Sequence, residues 1–118
     1  DSNTIKVVMN QKGDALYMSR QPIPTAPATQ SDQSDFLHIC AYKQVCIIPF
    51  RRETLLDFAR LPSTPLEQLE SVDMLRLLEH GYRVKMITTK FNTQAVDTQT
   101  DLERVAELME ADPLLASY

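Results

Sequence analysis

Two short runs decide the fold: Ile5-Lys6-Val7-Val8-Met9 and Ala15-Leu16-Tyr17-Met18-Ser19, with Asn10-Gln11-Lys12-Gly13-Asp14 between them. The flanking runs are apolar and β-rich. The break holds an Asn and a Gly, and Gly13 is free to take positive φ. The pattern predicts a β-hairpin over the first 20 residues.

Working outward, residues 21–35 hold Pro22, Pro24 and Pro27, followed by Thr, Gln, Ser and Asp. Such a stretch buries little and reads as a mobile, Pro-rich loop. Phe36 to Ile48 is apolar and is expected to form one long or kinked strand, ended by Pro49. Arg51 to Leu61 reads as a helix with Leu55, Phe58 and Ala59 on one side. Thr64-Pro65-x-Glu67 is a helix start: Thr64 as N-cap, Pro65 at the first helical position, Glu67 completing a capping box. This helix is expected to run to about His80 and to stop at Gly81. Leu66, Leu69 and Val72 would form its buried stripe. Arg83 to Thr88 reads as a strand. Thr100-x-x-Glu103 is a second capping box, opening a last helix with Leu102, Val105, Ala106 and Met109 inward, and Thr98 could cap that helix instead. The tail after Pro113 is expected to fray. The order β-β-loop-β-α-α-β-loop-α is α/β, and its few strands in mixed order suggest part of a larger sheet.

Composition narrows the function. The chain has 118 residues, 43% hydrophobic and 24% charged, which suits one globular domain. The net charge of −4 argues against a nucleic-acid phosphate binder. No run of about 18 apolar residues is present to span a membrane. No signal peptide is visible at Asp1, and a start without Met suggests a trimmed or partial chain. The two cysteines, Cys40 and Cys46, lie in one apolar run. Six extended residues span about 20 Å, too far for a disulfide. They read as buried thiols in a reducing cytoplasm. A metal set of His38, Cys40 and Cys46 lacks a fourth ligand at zinc spacing.

Three places hold polar residues that a core does not require. Arg20, at the end of the second strand, could grip a carboxylate or phosphate with its planar fork, or be a surface Arg. His38 and Tyr42, four apart in a strand, face the same way; they could line a pocket or satisfy each other. Asp97, just after a loop and before a helix, could sit at Mg²⁺ or simply meet the helix dipole. Glu103, Arg104, Glu107 and Glu110 read as a solvated helix face. No Gly-rich phosphate loop or catalytic triad order occurs.

The motifs in order resemble one family. Ala15-Leu16-Tyr17-Met18-Ser19-Arg20 with Ile23-Pro24, then His38-Ile39-Cys40-Ala41-Tyr42, then Pro65-Leu66-Glu67 with Glu70, then Val96-Asp97-Thr98 with Asp101-Leu102-Glu103-Arg104-Val105, look like the signatures of CMP-Kdo synthetases. The matches cover nearly the whole chain. The resemblance implies a mixed-sheet, Rossmann-like nucleotide-diphospho-sugar-transferase fold with a β-rich dimerisation excursion. It also implies a cytidylyltransferase that couples CTP to an eight-carbon sugar acid, releasing pyrophosphate, for lipopolysaccharide synthesis. Arg20, His38, Tyr42 and Asp73 would contact the sugar acid, Asp97 would be a Mg²⁺ ligand, and the protein would be a homodimer. Residues 1–118 would then be the C-terminal, acceptor-binding and dimerising part. The nucleotide loop and first metal Asp would belong to an N-terminal half outside this sequence, so the isolated chain is expected not to turn over CTP.

The sequence departs from the family pattern at Thr25-Ala26-Pro27, where an aromatic, an Asp and an Arg are usual. Asp73-Met74 replaces a Glu-Gln pair, and Ala95 replaces a Gly. These departures also fit a cytidylyltransferase for a different acid acceptor, or a non-catalytic dimerisation module derived from the family.

Overall fold

The computed structural model describes residues 3–25, 42–91, 93–113 and 115. Most of the 21–35 loop, the first half of the 36–48 run, His38 and Cys40 lie outside the described residues. The chain forms two units, residues 1–88 and 89–118.

In the first unit the hairpin forms as the pattern requires. Strands β1 (Lys6–Met9) and β2 (Ala15–Ser19) pair antiparallel, with Val7 opposite Met18 and Lys6 opposite Ser19. The turn is built by Asn10. Its Oδ1 accepts the N–H of Lys12 at 2.8 Å and of Asp14 at 2.9 Å, and its carbonyl accepts the Gly13 N–H at 2.9 Å. This is the local bonding that suits Asn to turns. Gly13 sits at φ +78, a region costly for a residue with a Cβ.

Strand β3 (Tyr42–Lys43) pairs antiparallel with β1 on the other side, giving the order β2-β1-β3. The expected strand to Ile48 ends early. The last sheet bond is the Gln44 N–H to the Ile5 carbonyl at 2.9 Å. The Ile47 N–H then folds back to the Val45 carbonyl at 2.7 Å, a three-residue turn. Cys46 lies at that turn and is exposed, not buried as its apolar neighbours suggest.

Helix α1 (Arg52–Arg60) stops at Leu61, because Pro62 disfavours a helical residue before it. The segment 65–80 forms two short helices, α2 (Pro65–Glu70) and α3 (Met74–Glu79), where the sequence pattern predicts one. Ser71 breaks it at φ 52, and the Val72 N–H reaches back to the Glu67 carbonyl at 3.3 Å, closing α2 in a Schellman-like end. The break rotates the apolar stripe. Val72 is buried and Leu66 half-buried, but Leu69 is 81% exposed. The expected strand at 83–88 shrinks to a bridge between Asp14 and Lys85, with bonds from Ala15 N–H to the Val84 carbonyl and Met86 N–H to the Gly13 carbonyl.

The core of this unit is Val7, Ala15, Met18, Val72, Met74, Leu75 and Leu77. Tyr17, Phe50, Phe58, Leu61, Tyr82, Val84 and Met86 pack around it. Each large side chain buried this way contributes roughly 1.5–3 kcal/mol. A charged node closes one edge of the core. Arg76 meets Glu67 through two bonds, Nε to Oε2 at 2.8 Å and Nη2 to Oε1. Its guanidinium lies 4.6 Å from the centre of the Phe58 ring. Glu67 also accepts the Thr64 N–H at 3.2 Å, the backbone half of the expected capping box.

The second unit carries helix α4 (Gln99–Glu110). Of the two caps the sequence offers, Thr98 forms it rather than Thr100, and its partner is Asp101 in place of Glu103. Thr98 Oγ1 accepts the Asp101 N–H at 3.2 Å, and Asp101 Oδ2 accepts both Thr98 donors, at 2.9 and 2.7 Å. The shorter Asp side chain closes the box, so the helix begins earlier and Glu103 faces solvent. Leu102 and Met109, expected inward, remain about half exposed. Among the described residues no helix is long and apolar enough to cross a membrane.

Candidate functional site

The polar groups of the first unit converge where β2 ends and α2 ends. Tyr17 and Ser19 are two apart in a strand, so they share a face. Both reach Glu70, the last residue of α2. The Glu70 carboxylate accepts the Tyr17 hydroxyl at 3.1 Å and the Ser19 hydroxyl at 2.8 Å on Oε1, and the Arg20 N–H at 2.9 Å on Oε2. Ser19 Oγ in turn accepts the Gln21 N–H at 2.9 Å. A carboxylate at a helix C-terminus opposes the helix dipole. Two donors from β2 and a third from Arg20 just after it offset that cost.

These bonds set the acid–base state of the corner. The Arg20 backbone N–H, then the Ser19 and Tyr17 hydroxyls and the Arg20 charge, hold the Glu70 carboxyl below its ordinary range. Burial, followed by the bond to Glu70, pushes the Tyr17 phenol up. The corner therefore holds a carboxylate anion with a neutral phenol donating to it.

The Arg20 side chain completes the junction. Nε donates to the Glu70 carbonyl at 2.9 Å and Nη2 to the Ser71 carbonyl at 3.1 Å. These are the carbonyls a helix end leaves without intrahelical partners. Two of the five guanidinium donors thus cap α2. Lys6 Nζ donates to the Arg20 carbonyl at 2.6 Å from the neighbouring strand.

The other sequence candidates distribute as follows. Asp73 is exposed, two residues past Ser71, at the N-cap of α3, and its side chain makes no capping bond. The structure therefore brings Arg20 and Asp73 to one corner. Tyr42 is half-buried on β3, in register with Val7 and Met18. The row Ser19–Lys6–Lys43 puts Tyr42 at the same end of the sheet as Arg20, two strand spacings or about 10 Å across. His38 lies outside the described residues. Met74, which stands where a polar partner for a sugar is usual, is 5% exposed and belongs to the core. Its apolar side chain is accounted for by packing.

Asp97 belongs to the second unit. It is exposed, one residue before the Thr98 cap, and its backbone N–H donates to Asp101 Oδ2 at 3.3 Å. The Thr98–Asp101 box does the capping, so the Asp97 carboxylate is not needed for it. One exposed carboxylate suits Mg²⁺, which takes one or two carboxylates and fills its shell with phosphates and water. Among the described residues no three candidate ligands cluster.

Sequence reasoning assigned no role to Glu70, the centre of the corner. The motif Pro65-Leu66-Glu67 with Glu70 already carried it, but with one helix expected to run to about His80 nothing marked Glu70 as a helix end, where the dipole disfavours a carboxylate.

A profile of cytidylyltransferases matches residues 1–87. The chain belongs to the cytidylyltransferase family. It is 41% identical over 109 residues to a 3-deoxy-manno-octulosonate cytidylyltransferase of Geobacter metallireducens, covering 89% of this chain and 43% of that protein. The enzyme of the same name from Solibacter usitatus is 40% identical over 114 residues, covering 97% of this chain and 43% of that protein. Among solved structures, a CMP:2-keto-3-deoxy-manno-octonic acid synthetase complexed with CTP superimposes with a TM-score of 0.79 at 34% identity, over 94% of this chain and 43% of that one. The chain thus spans less than half the length of these relatives.

Proposed function

We propose that this chain is the acceptor-side portion of a CTP-dependent cytidylyltransferase that activates a sugar acid, Kdo or a related acid, giving the CMP-sugar and pyrophosphate. The observation that carries this reading is the likeness, over 94% of the chain, to a synthetase solved with CTP. The departures at Thr25 and Asp73 leave room for a related acid rather than Kdo itself.

In the reaction, an acceptor hydroxyl oxygen forms a bond to the α-phosphorus of CTP. The bond from that phosphorus to the β-phosphate oxygen breaks, pyrophosphate leaves, and the hydroxyl loses its proton. Catalysis of such a transfer is placement and charge stabilisation. Asp97 would hold Mg²⁺, which neutralises phosphate charge. Arg20, Asp73, Tyr42 and His38 would bind and orient the acid. The Arg20 charge at the strand end favours an anionic acceptor, and the Asp73 carboxylate suits its hydroxyls.

On this reading the hairpin and the 84–86 segment belong to a larger mixed, Rossmann-like sheet completed by further polypeptide that supplies the nucleotide loop. The Pro-rich stretch 21–35 and the run after it would serve dimerisation, and the compartment would be the cytoplasm. The test uses a family-length protein carrying this segment. It should release pyrophosphate from CTP only when a sugar acid is added, and Asp97→Asn should cut turnover without shifting the unfolding midpoint. No pyrophosphate with Kdo or any related acid would refute the reading.

A further inference from the structure

We propose that Glu70 is a positioning residue for the acceptor, tying the Ser19–Arg20 strand end to the Ser71–Asp73 turn so that Arg20 and Asp73 are held at one spacing. The inference rests on the acceptor-side reading above and adds a residue to it. Its basis is a reciprocal contact between two residues 50 apart in sequence. The Glu70 carboxylate accepts the Arg20 backbone N–H, while the Arg20 Nε donates to the Glu70 backbone carbonyl. Each residue thus fixes the other's main chain with its own side chain.

The contact extends to both candidates. Nη2 of Arg20 bonds the Ser71 carbonyl, and Ser71 is the left-handed residue that ends α2 and aims the chain into Asp73. Ser19 and Tyr17 set the carboxylate from the strand side. Helix end, turn and strand end therefore move as one piece. Removing the carboxylate leaves the Arg20 N–H without its acceptor and lets the turn carrying Asp73 shift against the strand. A site that must grip an acid group and hydroxyls together is sensitive to such a shift, because misplacement near 1 Å costs rate or affinity.

The geometry also ranks two substitutions. In Glu70→Gln the amide oxygen can keep the Arg20 N–H, but the amide nitrogen cannot accept the Tyr17 and Ser19 hydroxyls and the charge that faces Arg20 is gone, so the tie is weakened. Glu70→Ala removes every bond to the carboxylate and leaves the one from Arg20 Nε to the backbone carbonyl.

The experiment measures kinetics of the family-length protein carrying each variant. Glu70→Ala should raise KM for the sugar acid about tenfold or more, Glu70→Gln about threefold, with KM for CTP within about twofold in both. A parallel rise in both constants, or a fall in kcat alone, overturns the proposal. If Glu70→Ala does not fold, Glu70→Gln decides: an unchanged acid KM overturns it. A wild-type protein inert toward every sugar acid would sink the function proposed above instead. Amide exchange of the 118-residue chain then still reads the tie. Glu70→Gln should speed exchange at Ser71–Asp73 together with Arg20, and unchanged exchange at Ser71–Asp73 overturns the coupling.

Discussion

Replacing Arg76 with Met should destabilise the first unit strongly at neutral pH and less in acid. The Glu67 side chain is 9% exposed and that of Arg76 21%, so both charges are largely withdrawn from water. The two bonds from Arg76, with the Thr64 N–H and the Ser63 hydroxyl, pull the Glu67 carboxyl from 4.5 to about 2. At 1.36 kcal/mol per pKa unit that shift is worth about 3 kcal/mol at pH 7. The folded-state pKa is depressed, so this stability is fully present above about pH 4.5 and is lost as pH falls toward 2. Arg76→Met keeps packing against Phe58 and strands the Glu67 carboxylate, which costs about 3 kcal/mol or more when a buried partner is removed. In the variant the carboxyl keeps only the weaker Thr64 and Ser63 donors, and protonation relieves it. Urea unfolding of wild type and variant at pH 7 and pH 4 should show a gap of about 3 kcal/mol that narrows by at least about 1 kcal/mol in acid. Glu67→Gln should restore part of the loss when combined with Arg76→Met, because no buried charge is then left alone. A gap below about 1 kcal/mol at pH 7, or one that does not change with pH, would refute the reasoning.

Leu75→Ala, at a side chain with no exposure, should cost about 2–5 kcal/mol by urea unfolding, with the slope unchanged. Ser71→Gly should stabilise by about 0.5–1 kcal/mol, since the residue sits at φ 52, where a Cβ is costly; a loss there would mean that the hydroxyl matters more than the backbone. Thr98→Ala should cost helix α4 about 1 kcal/mol, seen as faster amide exchange over its first turn and reduced helical circular dichroism.

Much of this architecture was legible because local chemistry fixed it. The hairpin followed from alternating apolar residues and an Asn-to-Gly turn, the α1 stop from Pro62, and the start of α2 from Thr64-Pro65-x-Glu67. Errors came where a local signal met a tertiary one. The 65–80 pattern suits one helix, but Arg20 draws on the carbonyls of Glu70 and Ser71, and the helix ends there. Glu67 reads as a cap partner, yet its strongest bonds go to Arg76 nine residues on.

The candidate site divides in the same way. Sequence by itself named Arg20, His38, Tyr42 and Asp97 within the family's motifs and Asp73 where the chain departs from them, because those motifs are contiguous along the chain. It also fixed the charge balance that argues against a nucleic-acid surface. Only the tertiary structure decided that Arg20 and Asp73 share one corner, that Met74 is core, and that Glu70 holds the corner together. The physical reason is separation. Propensity and capping act within a few residues, whereas a bond between positions 20 and 70 forms only after both segments have packed on the same core.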